Sequence, residues 1–324
     1  LSKQLGPAQG MKLHGSGFIV TPQQAAGLGL GKTAGLERYI RAYRNGRDLT
    51  DRPRGVLVID LFGLSEEGVR QRYPSVWQHL SETVKIQRGG QFAKSPTRDA
   101  KEYLERWWTF GKPREELRPA LENLRRFITT VETSQHRFFE FLDGAILPDN
   151  RLNVFPSDDA FMLGVLVSNI HVIWTLRSGG VLEDRPIYTK SICFDPFPFP
   201  AATRAQKEHI RVLAEELDAL RKRVLAEHDF LTMTKLYNVR EKLKSGEALD
   251  ENDKAINDTG CVGVIHELHN KIDAAVAEAY GWPADLSDQD ILGRLVALNK
   301  QRAEEEKRGI VHWLRPDYQA QRFS

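Results

Sequence analysis

No helix or strand can run through Phe194-Asp195-Pro196-Phe197-Pro198-Phe199-Pro200. Each proline removes a backbone N–H donor, fixes φ near −65° and pushes the residue before it out of the helical region. The chain must therefore stay extended here, and its texture differs on the two sides. Upstream, alternating or continuous apolar runs predict strands over 15–21, 54–63, 125–133, 138–147, 151–157 and 188–194. Between them, spacings of three and four predict helices over 22–29, 65–87, 97–105, 113–124 and 158–180, the last ended by Gly179-Gly180. Downstream the pattern is purely helical. Thr203 stands as a cap before an apolar stripe of Ile210, Leu213, Leu217, Leu220 and Val224, and further helices are expected over 232–246, 250–257, 261–280 and 287–308. The expected fold class is α+β, a mixed α/β domain followed by an all-α helical domain, with the Phe/Pro segment as the hinge between them.

Charge is spread unevenly along that division. The net charge is +2, yet residues 1–126 hold 22 Lys/Arg against 13 Asp/Glu, a net +9. Such a basic stretch favours a polyanion, because neutralising phosphates with Lys and Arg supplies most nonspecific nucleic-acid affinity. No apolar run approaches eighteen residues, and the first thirty positions hold no signal pattern, so no membrane association is expected and the location read is cytoplasmic. Cys193 and Cys261 stand alone and far apart, which argues against a disulfide framework or a zinc knuckle and for buried free thiols.

Several stretches imitate catalytic motifs. Gly31-Lys32-Thr33 ends like a phosphate-binding loop, but Ala26 occupies the place where that loop needs glycine, so a flexible glycine turn is expected. His266 and His269 lie three apart rather than four, which misses the zinc-protease spacing and leaves them as polar helix-surface histidines with no metal expected. Asp99-x-Lys101 and Glu305-x-Lys307 sit in charge-rich helical sequence rather than on a strand that could hold a nuclease metal. Asp195-Pro196-Phe197 is the closest approach to a D-P-P-[FYW] loop, which stacks a flipped adenine on its aromatic ring, but Phe197 replaces the second proline. No Gly-rich strand-loop-helix precedes it. Asp195 is therefore read as structural, and no catalytic residue is assigned.

Residues 159–200 resemble the end of the target-recognition domain in MmeI-like DNA adenine methyltransferases of restriction–modification or phage-defence type. The matching positions are Ser168, His171, Trp174, Gly179, Gly180, Tyr188 and Phe197-Pro198-Phe199-Pro200. Upstream, "GMKLHGSGFIVTPQQAAGLGL" and "IRAYRNGRDLTDRPRGVLVIDLFG" resemble the start of that domain. Downstream, "AEELDALRKRVLAEH", "LYNVREKL" and "YGWPADLSDQDILGRLVALNKQRAEEE" are similar to the family's C-terminal helical region. The resemblance implies a linker from an upstream catalytic domain over residues 1–35, a target-recognition domain over 36–200 and a C-terminal helical domain over 201–324. In the family the S-adenosyl-L-methionine site and the N-P-P-[FYW] loop lie in that preceding catalytic domain. This chain begins with Leu1, so it is expected to be part of a larger enzyme or a split specificity polypeptide, with no bound cofactor and no methylation of its own.

The resemblance and the basic character together imply double-stranded DNA and a methyltransferase catalytic domain as partners. Expected phosphate contacts are Arg41, Arg44, Arg47, Lys85, Arg88, Lys94, Arg98, Lys101 and Arg106. For base readout the family's variable strand pair matches 125–142, which points to Arg125, Arg126, Thr133, Ser134, Gln135, His136 and Arg137. Asp48, His171, Trp174, Asp195, Pro198 and Pro200 are expected to be architectural, and Trp107-Trp108 with Phe110 to be core rather than a stacking platform. The alternative is a protein-interaction scaffold or stand-alone specificity subunit without enzymatic activity.

Overall fold

The computed structural model describes residues 7–182 and 185–323. Residues 1–6, part of the expected linker, lie outside the described residues. The strands are β1 (Ala8–Gln9), β2 (Ile19–Val20), β3 (Ile40–Arg44), β4 (Leu57–Ile59), β5 (Arg126–Val131), β6 (Glu140–Asp143), β7 (Leu147–Pro148), β8 (Leu152–Phe155), β9 (Gly180–Leu182) and β10 (Arg185–Ile187). The first-half helices are α1 (Pro22–Gly27), α2 (Gly46–Thr50), α3 (Glu66–Arg72), α4 (Pro74–Leu80), α5 (Ile86–Lys94), α6 (Arg98–Glu105), α7 (Leu117–Leu121), α8 (Ala160–Val167), α9 (Asn169–Ser178) and α10 (Lys190–Cys193). After the Phe/Pro segment come α11 (Arg204–Glu227), α12 (Met233–Ser245), α13 (Glu251–Thr259), α14 (Val262–Tyr280), α15 (Asp288–Lys307) and α16 (Pro316–Phe323).

The strands form two four-stranded sheets, ordered β1-β8-β5-β6 and β2-β4-β3-β7, and a separate β9–β10 hairpin. All pairings are antiparallel except β3 with β7. Residues 8–35 are not a separate linker. β1 is an edge of the first sheet, β2 of the second, and Met11 bridges to Asp149. The fold is thus the expected α+β, with both sheets in the first half.

Two local readings are corrected, and one strand carries no clear signal in the sequence. The expected helix 158–180 breaks at Ser168, with α8 and α9 bent by 59°. The Asn169 N–H, freed by that break, donates to Asp273 of α14 at 2.6 Å, so a carboxylate from another helix caps α9. The expected strand 188–194 is α10, closed by bonds from the Ile192 and Cys193 amides to Thr189; the extended residues are 185–187 instead. β3 was not foreseen, because two of its five residues are arginines and its burial does not alternate.

Between α4 and α5 a π-helical turn, Ser81–Lys85, keeps Leu80, Val84 and Arg88 facing inward. Arg88 is 1% exposed. Its guanidinium donates to five carbonyls: Nε to His14 at 2.8 Å, Nη1 to Tyr103 at 2.6 Å and Arg106 at 3.1 Å, Nη2 to Leu13 and Thr109 at 2.9 Å. One side chain thereby ties the N-terminal segment to the end of α6 and the loop after it. Burial among carbonyls without an acid pushes its pKa down to about 10. Arg88 is therefore a structural tie, not the phosphate clamp expected of it.

The Phe/Pro segment joins the halves by burial. Phe194, Phe197, Pro198 and Pro200 are buried, and Phe197 packs on His171 with ring centroids 4.6 Å apart. Tyr280 Oη donates to the Pro198 carbonyl at 2.8 Å, and Asn299 Nδ2 donates to that of Pro196. A single apolar cluster runs from Met11 to Leu295 through both halves. Among the described residues no single helix is long and apolar enough to cross a membrane, and the bent pair that α8 and α9 make is largely buried core.

Arg88→Ala leaves five carbonyls without that donor, and the cost expected from a buried network is at least about 3 kcal/mol. Thermal unfolding checks this. Arg88→Ala should lower Tm by several degrees, and Arg88→Lys, with three donors, should recover only part of the loss.

Candidate nucleic-acid interface

The residues expected to face DNA fall into an inward and an outward set. Lys85, Lys94, Arg98, Lys101 and Arg106 are exposed, on or beside the packed pair α5 and α6. Thr97 caps α6 through a bond from the Ala100 amide, which fixes the tight turn between the two helices. Lys85 lies over the Trp107 ring at 5.0 Å, and Lys101 pairs loosely with Glu105 at 3.7 Å. Surface contacts of this kind cost little to exchange for a phosphate. Trp107 and Phe110 are buried and Trp108 half-buried, with its Nε1 donating to Leu64, so these aromatics are core.

Arg44 and Arg47 sit elsewhere, at the junction of β3 and α2. Arg47 is 79% exposed along its side chain, 3.6 Å from Asp51. Arg44 is half-buried, with Nη1 on its neighbour's carbonyl, Tyr43. Asp48 belongs to the turn: it shares a capping box with Asn45 and takes both arms of Arg54 at 2.8 and 2.9 Å. Arg41 does not reach outward. Its Nε and Nη2 donate to the carbonyls of Ala145 and Gly144, pinning the loop after β6.

The proposed base readers split between opposite ends of β5. Residues 126 and 133 are seven apart, which along a strand is roughly 20 Å. At the near end Arg126 grips Glu215 of α11 through both nitrogens and lies 3.7 Å over the Phe141 ring. It is a tie between halves, and only Arg125 beside it is exposed. At the far end Arg137 is buried, with Nη1 on Thr130 at 3.0 Å and on the Val131 carbonyl, and Nη2 on Pro186 at 3.0 Å. Desolvation pushes its pKa down to about 10. Ser134 is also buried, its amide against Pro186. Arg126, Arg137 and Ser134 are thus corrected from readers to supports.

What remains outward at the far end is a compact tip. Gln135 is exposed, and His136 Nε2 donates to Asn238 Oδ1 of α12 at 2.6 Å. Thr133 bridges to Ile187, so the β9–β10 hairpin braces the loop from beside it. Asn238 was not foreseen as part of this tip. Its exposure at the end of a tertiary contact has no signature in a helical sequence.

His171 and Trp174 are buried, and Asp195 is half-buried against α10. His171 is fully buried, with Nδ1 donating to Leu166 at 2.9 Å and Nε2 3.3 Å from Tyr188 Oη; burial pushes its pKa down to about 3, so it stays neutral. Trp174 Nε1 donates to Cys193 at 3.1 Å. Asp195 Oδ2 lies 3.4 Å from Lys190 Nζ. Gly29, Gly31 and Gly35 take positive φ in the expected glycine turn. Of the two histidines expected on a helix surface, His269 is instead buried and accepts from Tyr237 Oη at 3.0 Å.

Behind the tip lies a polar junction between β6 and α11. Asp218 Oδ1 accepts from the Phe141 amide at 3.2 Å, and Arg221 Nη2 donates to the Phe139 carbonyl at 2.7 Å. Arg221 Nη1 donates to Tyr237 Oη at 2.7 Å, and Lys222 Nζ holds Asp218 at 2.6 Å. Glu140, between the two phenylalanines, is paired through its backbone with Thr129, but its carboxyl group accepts no hydrogen bond among the described residues, and the residue is 8% exposed. Burial, with Asp218 adding to it, pushes its pKa up to about 7.

Comparison with known proteins places this geometry. Residues 8–201 match the family described as "MmeI, target recognition domain". DNA methyltransferase A of Bacillus subtilis (strain 168) is 26% identical over 176 residues, 53% of this chain and 17% of that protein. A solved structure of the Type IIL restriction-modification enzyme MmeI in complex with DNA superposes with a TM-score of 0.68 at 18% identity, covering 92% of this chain and 36% of that one. The chain thus spans well under half the length of both relatives, and the likeness reaches past the matched domain into the helical half.

Glu140 makes stability depend on pH. Its folded pKa is raised, so the proton it keeps stabilises the fold below about pH 4.5 and that contribution is lost as pH rises through about 7. Denaturant titrations of wild type and Glu140→Gln at pH 5 and 8 should diverge by up to about 3 kcal/mol, with the variant the more stable at pH 8. Parallel pH profiles would show that Glu140 is solvated.

Proposed function

The chain belongs to the MmeI target recognition domain family, and from that premise we propose that it is the duplex-DNA sequence-recognition module of a restriction–modification methyltransferase. The observation that carries the reading is the division of its cations. Arg41, Arg88, Arg126 and Arg137 are spent on the scaffold, while five cations around α5 and α6 stay exposed, with at most loose surface partners. Exposed cations suit phosphates, which position a protein on DNA without reading its sequence. The tip built from Gln135, His136 and Asn238 suits base edges, since glutamine and asparagine can pair bidentately with adenine. Rigid support behind an exposed polar tip is what discrimination between bases requires.

Methyl transfer is assigned to a catalytic domain outside this chain, which would bind S-adenosyl-L-methionine and act on the DNA held here. The Asp195-Pro196-Phe197 turn does not fit that role. Asp195 faces Lys190, and the Phe197 ring is packed between His171 and Trp174, where no base can stack on it. A cytoplasmic location accords with this reading.

Fluorescence anisotropy with random duplex DNA across a salt series tests it. Log affinity should fall with log salt at a slope of several units, and replacing Lys94, Arg98 and Lys101 with Ala should reduce that slope by about 2–3. A sequence preference selected with wild type should survive those three changes. An unchanged slope would remove α5 and α6 from the DNA interface.

A further inference from the structure

Between β6, α2 and α11 lies a cavity of about 260 Å³. Its walls are apolar, from Leu49, Pro53, Leu142, Leu225 and Leu231. Glu140 forms part of its lining, buried and without a hydrogen-bond partner among the described residues, while Arg44, Arg52 and Lys222 line it from half-exposed or exposed positions. Most charges here are already committed: Asp48 to Arg54, Asp51 to Arg47, Asp218 to Arg221 and Lys222, Arg52 to Asp229. Arg44 and Glu140 alone among these lining and facing groups have no ionic partner among the described residues.

That arrangement selects a ligand chemistry. A buried carboxylate in an apolar slot demands hydrogen-bond donors on a flat or apolar body, and Arg44, without an ionic partner among the described residues, demands a negative group. A cationic ligand satisfies Glu140 but leaves Arg44, the one lining cation without an ionic partner among the described residues, facing a like charge. A nucleotide satisfies both ends. We propose that this cavity is a nucleotide site that takes a guanine base against Glu140 and its phosphate against Arg44. An ionised carboxylate only accepts, and guanine presents two adjacent donors, N1–H and N2–H, to its two oxygens. Adenine and cytosine each place a ring-nitrogen acceptor beside their amino donor, which opposes a carboxylate and suits a protonated acid or an amide.

The chemistry is shared by a free guanine nucleotide and by a guanine extruded from a duplex, and only the second source rests on the DNA reading above. The preference for guanine should also strengthen as Glu140 ionises on going from pH 6 to 8. The charged groups that face it are Arg44 from β3, Asp48 and Asp51 from α2, Arg52 after it, and Asp218, Arg221 and Lys222 from α11.

Isothermal titration of the full chain with GMP, AMP and CMP at pH 6 and 8, in wild type and Glu140→Gln, tests the site. GMP should bind at least about tenfold more tightly than AMP at pH 8, the scale of one bidentate contact, and less selectively at pH 6. Glu140→Gln, offering one donor and one acceptor, should reverse the preference toward AMP and CMP. A second arm uses duplexes with guanine or adenine opposite an abasic site. If mononucleotides give no heat but the duplexes show a guanine preference that Glu140→Gln reverses, the source is an extruded base. GMP binding that Glu140→Gln leaves unchanged overturns the proposal, and so does no guanine preference in either arm. A fully paired duplex serves as control: if it fails to bind while GMP behaves as expected, the DNA reading falls and the nucleotide site stands.

Discussion

β6 is the outer strand of its sheet, and an outer strand presents a row of backbone donors and acceptors with no strand to meet them. Here α11 meets them with side chains. Asp218 takes the Phe141 amide and Arg221 gives to the Phe139 carbonyl, so one turn of helix supplies the two groups that a neighbouring strand would have offered. Satisfying them this way fixes α11 along the sheet edge. Arg126 with Glu215 and Arg211 with Asp159 then fasten the same helix at two further points. α11 packs on α14 of the helical half and on α8 of the first, so the placement of the helical half follows from an unpaired strand edge.

That constraint also explains why the junction is polar rather than apolar. A leucine stripe would pack α11 against Phe139 and Phe141 but would leave their backbone groups desolvated and unpaired, which costs more per group than packing returns. Asp218 and Arg221 supply the acceptor and the donor that the strand lacks. Arg221 must then be satisfied in turn, and Tyr237 and His269 extend the network into α12 and α14. Glu140 lies beside this network but its carboxyl group makes no hydrogen bond in it among the described residues, which is why the proposed nucleotide site turns on that carboxyl.

Much of this was legible in sequence. Capping at Thr203 and Ser287, the stripe along α11 and the strands around 126–131, 140–143 and 152–155 follow from local pattern, because each element signals its own period. What local pattern hides is the direction of an arginine. Composition counts Arg88 and Lys94 alike as positive charge, although one is buried and the other exposed. A signal did exist for Arg88: Leu80, Val84 and Arg88 recur at spacing four, which places the arginine on the apolar stripe of its helix. Arg221 repeats it, four after Leu217. Arg126 and Arg137 gave no such warning, because their partners, Glu215 and Pro186, lie 89 and 49 residues away. Asn238 and Glu140 share that difficulty, since contact between distant segments defines them.

The same distinction decides where the recognition surface can vary. Arg137 closes the loop between β5 and β6 on Thr130, Val131 and Pro186, and the Thr133 bridge to Ile187 ties it to the β9–β10 hairpin. The loop's path is therefore set chiefly by the buried Arg137 and the buried or half-buried residues it is tied to. Gln135 contributes nothing to that closure, and His136 only a contact with Asn238 at the surface. Side chains at 135, 136 and 238 can change with little cost to the fold, whereas a change at 137 or 126 removes a support. On the reading proposed above, substitution at 135, 136 and 238 could change the target without unfolding the module, because the charge nearest to them has been turned inward.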